Sequence, residues 1–324
     1  MKAIQIAKQG GVEELQMTDV GAVPRPGAGQ ALVRIHAAGV NFVDIYQRRG
    51  YYPMKVPFIP GLEAAGVVEA VGEQVADLRV GDRVAYAGHL GSYAEYTTIE
   101  ADKLIPLPDS LSFVEGAAFP LQGITAHYLI HEYRTIKPGH TVLVHAAAGG
   151  VGGLLVQWAK HLGATVIGTA GSEEKAAVAR AAGADHVILY TQQDFAAEVK
   201  RLTNGRGAEL ILDGVAKSTL PGDLEAAASR GYVVIYGAAS GAADPLVPNS
   251  LMPRSLSLSG GHMQNFMVTR EELLRRTGDV LQAIRVGWLK LRIDSVLPLA
   301  DAEKAHRRLE GRQSSGKIVL QVVA

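Results

Sequence analysis

The pattern of apolar and polar positions changes rhythm once along the chain, near Thr141. Before it, short runs such as Ala31–Ala37, Ala65–Val71 and Asp82–Tyr86 carry β character, with polar residues interleaved among apolar ones. Gly61, Gly66, Gly72 and Gly81 punctuate them as turns or bulges, and together these runs predict an antiparallel or barrel-like unit. Met1–Lys8, interrupted by Gln5 and Lys8, reads as a strand rather than a secretion signal. A helix is expected from Ser112 through Ala118, entered through Asp109 or Ser110 and followed by Pro120.

From Thr141 the rhythm becomes strand, helix, strand, helix. Strands are expected at Thr141–His145, Ala164–Thr169, His186–Leu189, Ala208–Leu212, Tyr232–Tyr236 and Ser255–Ser259. Helical patterns follow the first strand through Leu154–Lys160 and fill Glu173–Ala182, Phe195–Thr203 and Ser218–Ser229. Such alternation predicts a doubly wound parallel sheet with helices on both faces, an α/β architecture. Thr269–Glu272 then caps a helix running to about Val286. The tail Lys317–Val323 is a strand outside this rhythm and is expected to return to the first unit. The resulting division is 1–122 for the β-rich unit, 123–262 for the α/β unit and 263–324 for the return.

Composition narrows the function. The 324 residues suit two domains, and Lys+Arg 32 against Asp+Glu 32 leaves no net field to favour nucleic acid or an anionic membrane. The Arg275-Arg276 and Arg307-Arg308 pairs read as solvated helix faces. No apolar stretch is long enough to span a bilayer, so a cytoplasmic protein is the default expectation. Cysteine is absent, which excludes disulfides, a thiol nucleophile and thiolate metal sites.

The junction after the first parallel strand carries chemistry. Thr141–His145 runs into Ala146-Ala147-Ala148-Gly149-Gly150-Val151-Gly152-Gly153 and then an apolar helix, with a second strand beyond it. Glycines let a phosphate approach the backbone, and the N–H groups of the opening helix face the anion. This is the setting of a dinucleotide fingerprint. The second strand ends Thr169-Ala170-Gly171-Ser172, without the carboxylate that would bind ribose hydroxyls in an NAD site. That leaves room for a 2′-phosphate and removes a repulsive charge, so NADPH is the expected cofactor.

Three further motifs occur in order: Gly39-Val40-Asn41-Phe42-Val43-Asp44, Gly61–Gly72 and Val80-Gly81-Asp82-Arg83-Val84. With the glycine turn, they make the whole chain resemble the medium-chain dehydrogenase/reductase superfamily, in its NADPH:quinone oxidoreductase, zeta-crystallin-like branch. The resemblance implies a Rossmann nucleotide domain joined to a GroES-like, β-rich catalytic domain. Where the zinc alcohol dehydrogenases of that superfamily carry a cysteine and a histidine, this chain has Asn41 and Leu62, and the structural zinc lobe is missing. No metal is expected. His127 and His131, four apart, are read as polar residues at a helix surface or domain crossover, since no third ligand is evident. Without a Lewis acid to stabilise an alkoxide, an acceptor that is already electrophilic is favoured.

Site residues follow from the same resemblance. Ala148, Gly149, Gly150 and Val151 would present backbone to the diphosphate, and Ser172, Lys175 and Tyr190 would surround the 2′-phosphate. A charge-assisted hydrogen bond from Lys175 contributes roughly 1.5–3 kcal/mol, about a ten- to hundredfold preference for the phosphorylated cofactor. Gly171 would pass close to the adenosine ribose, and Gly237 and Ala238 to the nicotinamide half. Thr125, in Gln122–Ala126, would contact the cofactor, and Lys317 would reach it from the returning tail. Asn41 and Tyr46 would line the cleft near the nicotinamide, each holding a substrate oxygen or a water, with Tyr52 stacking on a flat substrate. Asp44 is expected to cap or orient backbone rather than act as an acid.

The expected activity is zinc-independent transfer of reducing equivalents from NADPH to a quinone or another conjugated electrophile. An NADPH-dependent enoyl or alkenal reductase is the alternative within the same chemistry. A non-catalytic nucleotide-sensing or nucleic-acid-binding protein is the alternative of another class; balanced charge and the lack of a basic-aromatic platform argue against it. The resemblance also implies a homodimer, with the sheet edge at Ser255–Ser259 a suitable surface for the partner.

Overall fold

The structure, a computed structural model, describes residues 1–323. The chain divides into two compact units. One comprises Met1–Gln122, Met267–Asp279 and the segment from Leu291 onward; the other comprises Gly123–Phe266 and Val280–Lys290.

The second unit is built on a six-stranded parallel sheet. Its strands lie in the order His186–Leu189, Thr165–Ala170, Thr141–Val144, Ala208–Asp213, Ala227–Ile235, Ser257–Gly260. The central strands are apolar on both faces: Val142, Leu143, Val144, Leu210, Ile211 and Leu212 are all completely buried. Helices on both faces explain why these strands read as continuous apolar runs instead of alternating ones. Fully burying each such side chain contributes roughly 1.5–3 kcal/mol. The chain steps from Thr141–Val144 outward in one direction, then returns to pair Ala208–Asp213 on the other side of that first strand. The reversal opens a crevice at the carboxyl ends of the two strands, where open α/β sheets bind ligands.

The first unit holds a seven-stranded sheet around Gln30–Val40, an eleven-residue strand. It pairs antiparallel with Glu63–Val71, Tyr96–Glu100 and Lys317–Gln321. Register shifts at Leu32/Val33 and Ile35/Ala37 bend it, as bulges do. Ile35, Val68, Val84, Tyr86, Tyr93, Ile99 and Leu320 fill one core beneath it. The tail strand does return to this sheet, with Ile318 opposite Val40. That register sets Lys317 next to Asn41, the residue that follows the long strand.

Several local expectations shift. The short helix Phe113–Gly116 is capped by Ser112, not by Asp109 or Ser110; Ser112 and Glu115 form a reciprocal capping box. The helix expected over Ser218–Ser229 is Leu220–Ala226, because Ala227 already begins the strand that runs to Ile235. The edge strand starts at Ser257, since Ser255 takes a left-handed conformation (φ 50°) closing the 3₁₀ segment Pro248–Arg254. His127 is not a surface residue: it is buried, edge-on to Trp158 at 5.4 Å and beside His131 at 4.6 Å. Arg276 is likewise buried and paired with Glu272 at 2.7 Å, whereas Arg307 pairs with Glu303 in the open.

Candidate functional site

In the nucleotide unit, the residues singled out from the sequence, apart from Thr125, follow the carboxyl ends of the parallel strands. After Val144 and the buried His145, the chain turns through Ala146 to Gly149, the N-cap of the helix Gly150–His161. Gly149 offers no side-chain cap, so the N–H groups of the first turn are left for an external acceptor. The turn is held from within: Gly149 N–H donates to Ala146 O at 2.8 Å and Ala147 N–H to Thr169 O at 3.0 Å. A Cβ on Gly152 would press into the Ala146 carbonyl, so this glycine lets the helix lie close on the turn.

One strand over, Gly171 and Ser172 follow Ala170 with no carboxylate among them. Ser172 caps the helix Glu173–Ala181, its hydroxyl accepting from Lys175 N–H at 3.3 Å. Tyr190 lies over Gly171, where a Cβ would come within 2.6 Å of the phenol oxygen. Lys175 is half-buried and the Tyr190 side chain is exposed. Gly237 and Ala238 follow the strand Ala227–Ile235, Gly237 packing against the Gly214 carbonyl. Thr125 is buried in the helix Pro120–His131.

In the other unit, Asn41 is the N-cap of the helix Phe42–Arg49, and two long-range side chains and one nearby backbone carbonyl fix it. Its Oδ1 accepts from Lys317 Nζ at 2.7 Å; its Nδ2 donates to Glu63 Oε2 at 3.0 Å and Gly39 O at 3.2 Å. Lys317 also pairs directly with Glu63, whose other oxygen accepts from Leu121 N–H at 2.7 Å. Asn41, Glu63 and Lys317 are all buried. Both amide hydrogens of Asn41 are therefore engaged within the protein. Glu63 escaped the sequence reading; an acid following Leu62 in the Gly61–Gly72 motif was its one signal.

Asp44 does cap: its Oδ2 accepts from Asn41 N–H at 2.8 Å, and from the Tyr93 hydroxyl at 3.0 Å. Tyr93 also meets His306 Nε2 at 3.1 Å. Burial pushes the Asp44 carboxyl up to about 7. Burial, with the Arg48 cation nearby, pushes the His306 imidazole down to about 3. Tyr46, partly exposed, is surrounded by aromatic rings: Tyr52 at 5.8 Å, Tyr51 at 6.1 Å and Phe42 at 6.2 Å. Tyr51 and Tyr52 both stand exposed.

The donor set around Asn41 does not fit a catalytic zinc, which takes about three nitrogen, sulfur or oxygen ligands from protein. Leu62 offers none, and the free oxygens of Asn41 and Glu63 already hold an ammonium that would repel a divalent ion. Among the described residues, His145, Asp213 and Asp223 bring three ligand-type atoms within 4.8 Å of one another. Hydrogen bonds occupy both imidazole nitrogens and Asp213 there. The glycine turn, with no side-chain cap at Gly149, and the Gly171–Lys175 corner, with no carboxylate at the strand end, by contrast have the chemistry a dinucleotide requires.

Two family models match the chain: alcohol dehydrogenase GroES-like domain over residues 27–109 and zinc-binding dehydrogenase over residues 150–277. The chain is 42% identical over 327 residues to a 2-haloacrylate reductase from Burkholderia sp, covering 98% of each. It is 40% identical to a quinone oxidoreductase from Pseudomonas aeruginosa, covering 98% of this chain and 99% of that one. The structure of Escherichia coli quinone oxidoreductase complexed with NADPH superposes with a TM-score of 0.96 at 38% identity, covering 99% of this chain and 100% of that chain. The chain belongs to the quinone oxidoreductase family, within the alcohol dehydrogenase-like enzymes that combine a GroES-like and a nucleotide-binding domain.

Proposed function

We propose that this protein is an NADPH-dependent quinone reductase that works without zinc. The observation that supports the zinc-free reading is the buried Lys317–Glu63–Asn41 knot: Asn41, which stands where the zinc alcohol dehydrogenases carry a cysteine, is tied to a lysine ammonium, and Leu62 offers no ligand. Bound NADPH supplies hydride from its nicotinamide. The glycine turn, through Ala148, Gly149, Gly150 and Val151, holds the diphosphate at the helix N-terminus. Ser172, Lys175 and Tyr190 hold the 2′-phosphate, while Gly171 admits the adenosine ribose. Thr125, Gly237 and Ala238 serve the nicotinamide half.

Lys317 and Glu63 keep the Asn41 amide rigid, and Tyr46 hydrogen-bonds the acceptor oxygen through its phenol. Tyr52, edge-on to Tyr46, closes over a flat ring. Asn41 positions rather than donates, since its amide hydrogens are taken up by Gly39 and Glu63. No helix among the described residues is long and apolar enough to cross a membrane. The edge strand Ser257–Gly260 pairs on one side only and is the surface through which two copies dimerise.

A second reading, reduction of an activated carbon–carbon double bond, is favoured by the 42% identity to a 2-haloacrylate reductase. Steady-state rates with 1,2- and 1,4-quinones, 2-haloacrylates and alkenals at equal NADPH test both. Quinones preferred in kcat/KM support the first reading. Preference for haloacrylate or alkenal with no quinone turnover supports the second.

A further inference from the structure

We infer that His145 and Asp223 are positioning residues for the coenzyme, forming with Thr169 a buried strut that holds the first residue of the glycine turn in its left-handed conformation. The inference rests on the reading that the coenzyme diphosphate sits at this turn, and it adds what keeps the turn in shape.

Ala146 has φ +49°. An L-residue with a Cβ in this region costs roughly 1–3 kcal/mol and persists only where the surroundings over-determine it. The surroundings here are a chain of hydrogen bonds through the core. Ala146 N–H donates to Thr169 Oγ1 at 3.3 Å; that hydroxyl meets His145 Nδ1 at 3.0 Å; His145 Nε2 meets Asp223 Oδ1 at 2.6 Å. His145 N–H is itself tied to Leu212 O at 3.1 Å, and the ring stands edge-on to Phe195 at 4.9 Å. The imidazole therefore links the ends of strands Thr141–Val144 and Thr165–Ala170 to the helix Leu220–Ala226, with no freedom to rotate.

Asp213 and Asp223 are the charged groups facing His145, one from the strand Ala208–Asp213 and one from the helix Leu220–Ala226; Thr169, Thr219 and Phe195 carry no charge. Asp213 is well satisfied, accepting from Val215 N–H at 2.6 Å, Ala216 N–H at 3.1 Å and the Thr219 hydroxyl at 2.8 Å. Asp223 is not: it is fully buried, and its Oδ2 has no hydrogen-bond partner. A buried ionic cluster of this kind adds little net stability, so stability alone does not account for it. Its geometry accounts for it, because each bond in the series leads to Ala146.

The charge state follows the geometry. Burial opposes a charge on His145, but the Asp223 and Asp213 carboxylates outweigh it and hold the imidazole above its usual range. Burial pushes the Asp223 carboxyl up to about 6, against the opposing pull of His145. Above that pH the strut is an ion pair. Below it Asp223 takes up a proton, the pull on His145 weakens, and the turn loosens its hold on the phosphates. Coenzyme affinity should accordingly fall as the pH drops through about 6.

The test measures NADPH Kd, KM and kcat for the full-length protein as a function of pH. His145→Ala should raise Kd and KM for NADPH about five- to tenfold, with kcat at saturating NADPH changed less than about twofold. Asp223→Asn should raise them about two- to fivefold at neutral pH and abolish the dependence on pH near 6. Should His145→Ala fail to fold, Thr169→Val removes the hydroxyl between His145 and Ala146, and its effect on KM should match in direction. Gly149→Val, which blocks the turn itself, separates the two levels. An unchanged Kd there overturns the placement of the coenzyme and the strut with it. An unchanged Kd in folded His145, Asp223 and Thr169 variants, with the wild-type pH profile kept in Asp223→Asn, overturns the strut alone.

Discussion

At the scale of single residues, Lys317 and Glu63 form a fully buried ion pair. Removing one member of a buried ion pair leaves the other without compensation, at a cost of about 3–5 kcal/mol. Lys317→Met should lower unfolding free energy by about that amount in urea titration, while the Glu63→Gln, Lys317→Met double variant should lose less than the sum of the single losses. Additive losses would show that the two groups do not stabilise each other. Lys175 is the test of cofactor choice. Lys175→Ala should raise the NADPH KM about ten- to a hundredfold and leave the NADH KM little changed; equal effects on both would remove Lys175 from the 2′-phosphate site.

At the scale of elements, the helix Phe42–Arg49 carries a pH dependence at its N-terminus. The Asp44 carboxyl is raised by burial to about 7, so the folded protein binds this proton more tightly than the unfolded chain does. Its contribution is fully present below the usual carboxylate range and is lost as pH rises through about 7. His306, depressed to about 3, acts in the opposite sense: its contribution is present above the usual imidazole range and is lost as pH falls through about 3. Asp44→Asn keeps an oxygen to accept from Asn41 N–H but has no proton to lose. We expect the stability of the variant relative to wild type to improve between about pH 4 and about pH 7, by up to about 1.4 kcal/mol per pH unit, and to level off above that. A constant difference across that range would show that Asp44 stays ionised in the folded protein.

Local pattern made most elements legible beforehand. The alternation after Thr141, the glycine turn and the cap positions are written in neighbouring residues, and the parallel sheet follows from them. Boundaries moved where a backbone conformation decided them: Ser255 in the left-handed region delays the edge strand, and Ala227 ends a helix that composition alone would have continued. Polar networks were not legible at all. Glu63 and Lys317 lie 254 residues apart, Tyr93 and His306 213, His145 and Asp223 78, and no local period encodes such partners. His127 misled for a related reason: its burial is set by Trp158, on another helix. The candidate site joins consecutive backbone, which a local pattern can express, to side chains brought together by strands returning from far along the chain, which it cannot.

At the scale of the whole molecule, each unit carries its own chemistry. The nucleotide unit has an uncapped glycine turn at a helix start, and the β-rich unit has a rigid amide and a partly exposed phenol. A homodimer through the Ser257–Gly260 edge should appear in sedimentation velocity as a single species of twice the 34.3 kDa chain mass. A species of one chain mass at all concentrations would remove that interface. The most direct measurement is NADPH oxidation by a quinone after exhaustive treatment with a zinc chelator. We expect NADPH and quinone to be consumed together at the untreated rate, with added zinc giving no increase. Loss of turnover on chelation, restored by zinc, would contradict a site in which Lys317, Glu63 and Asn41 take the place of the metal.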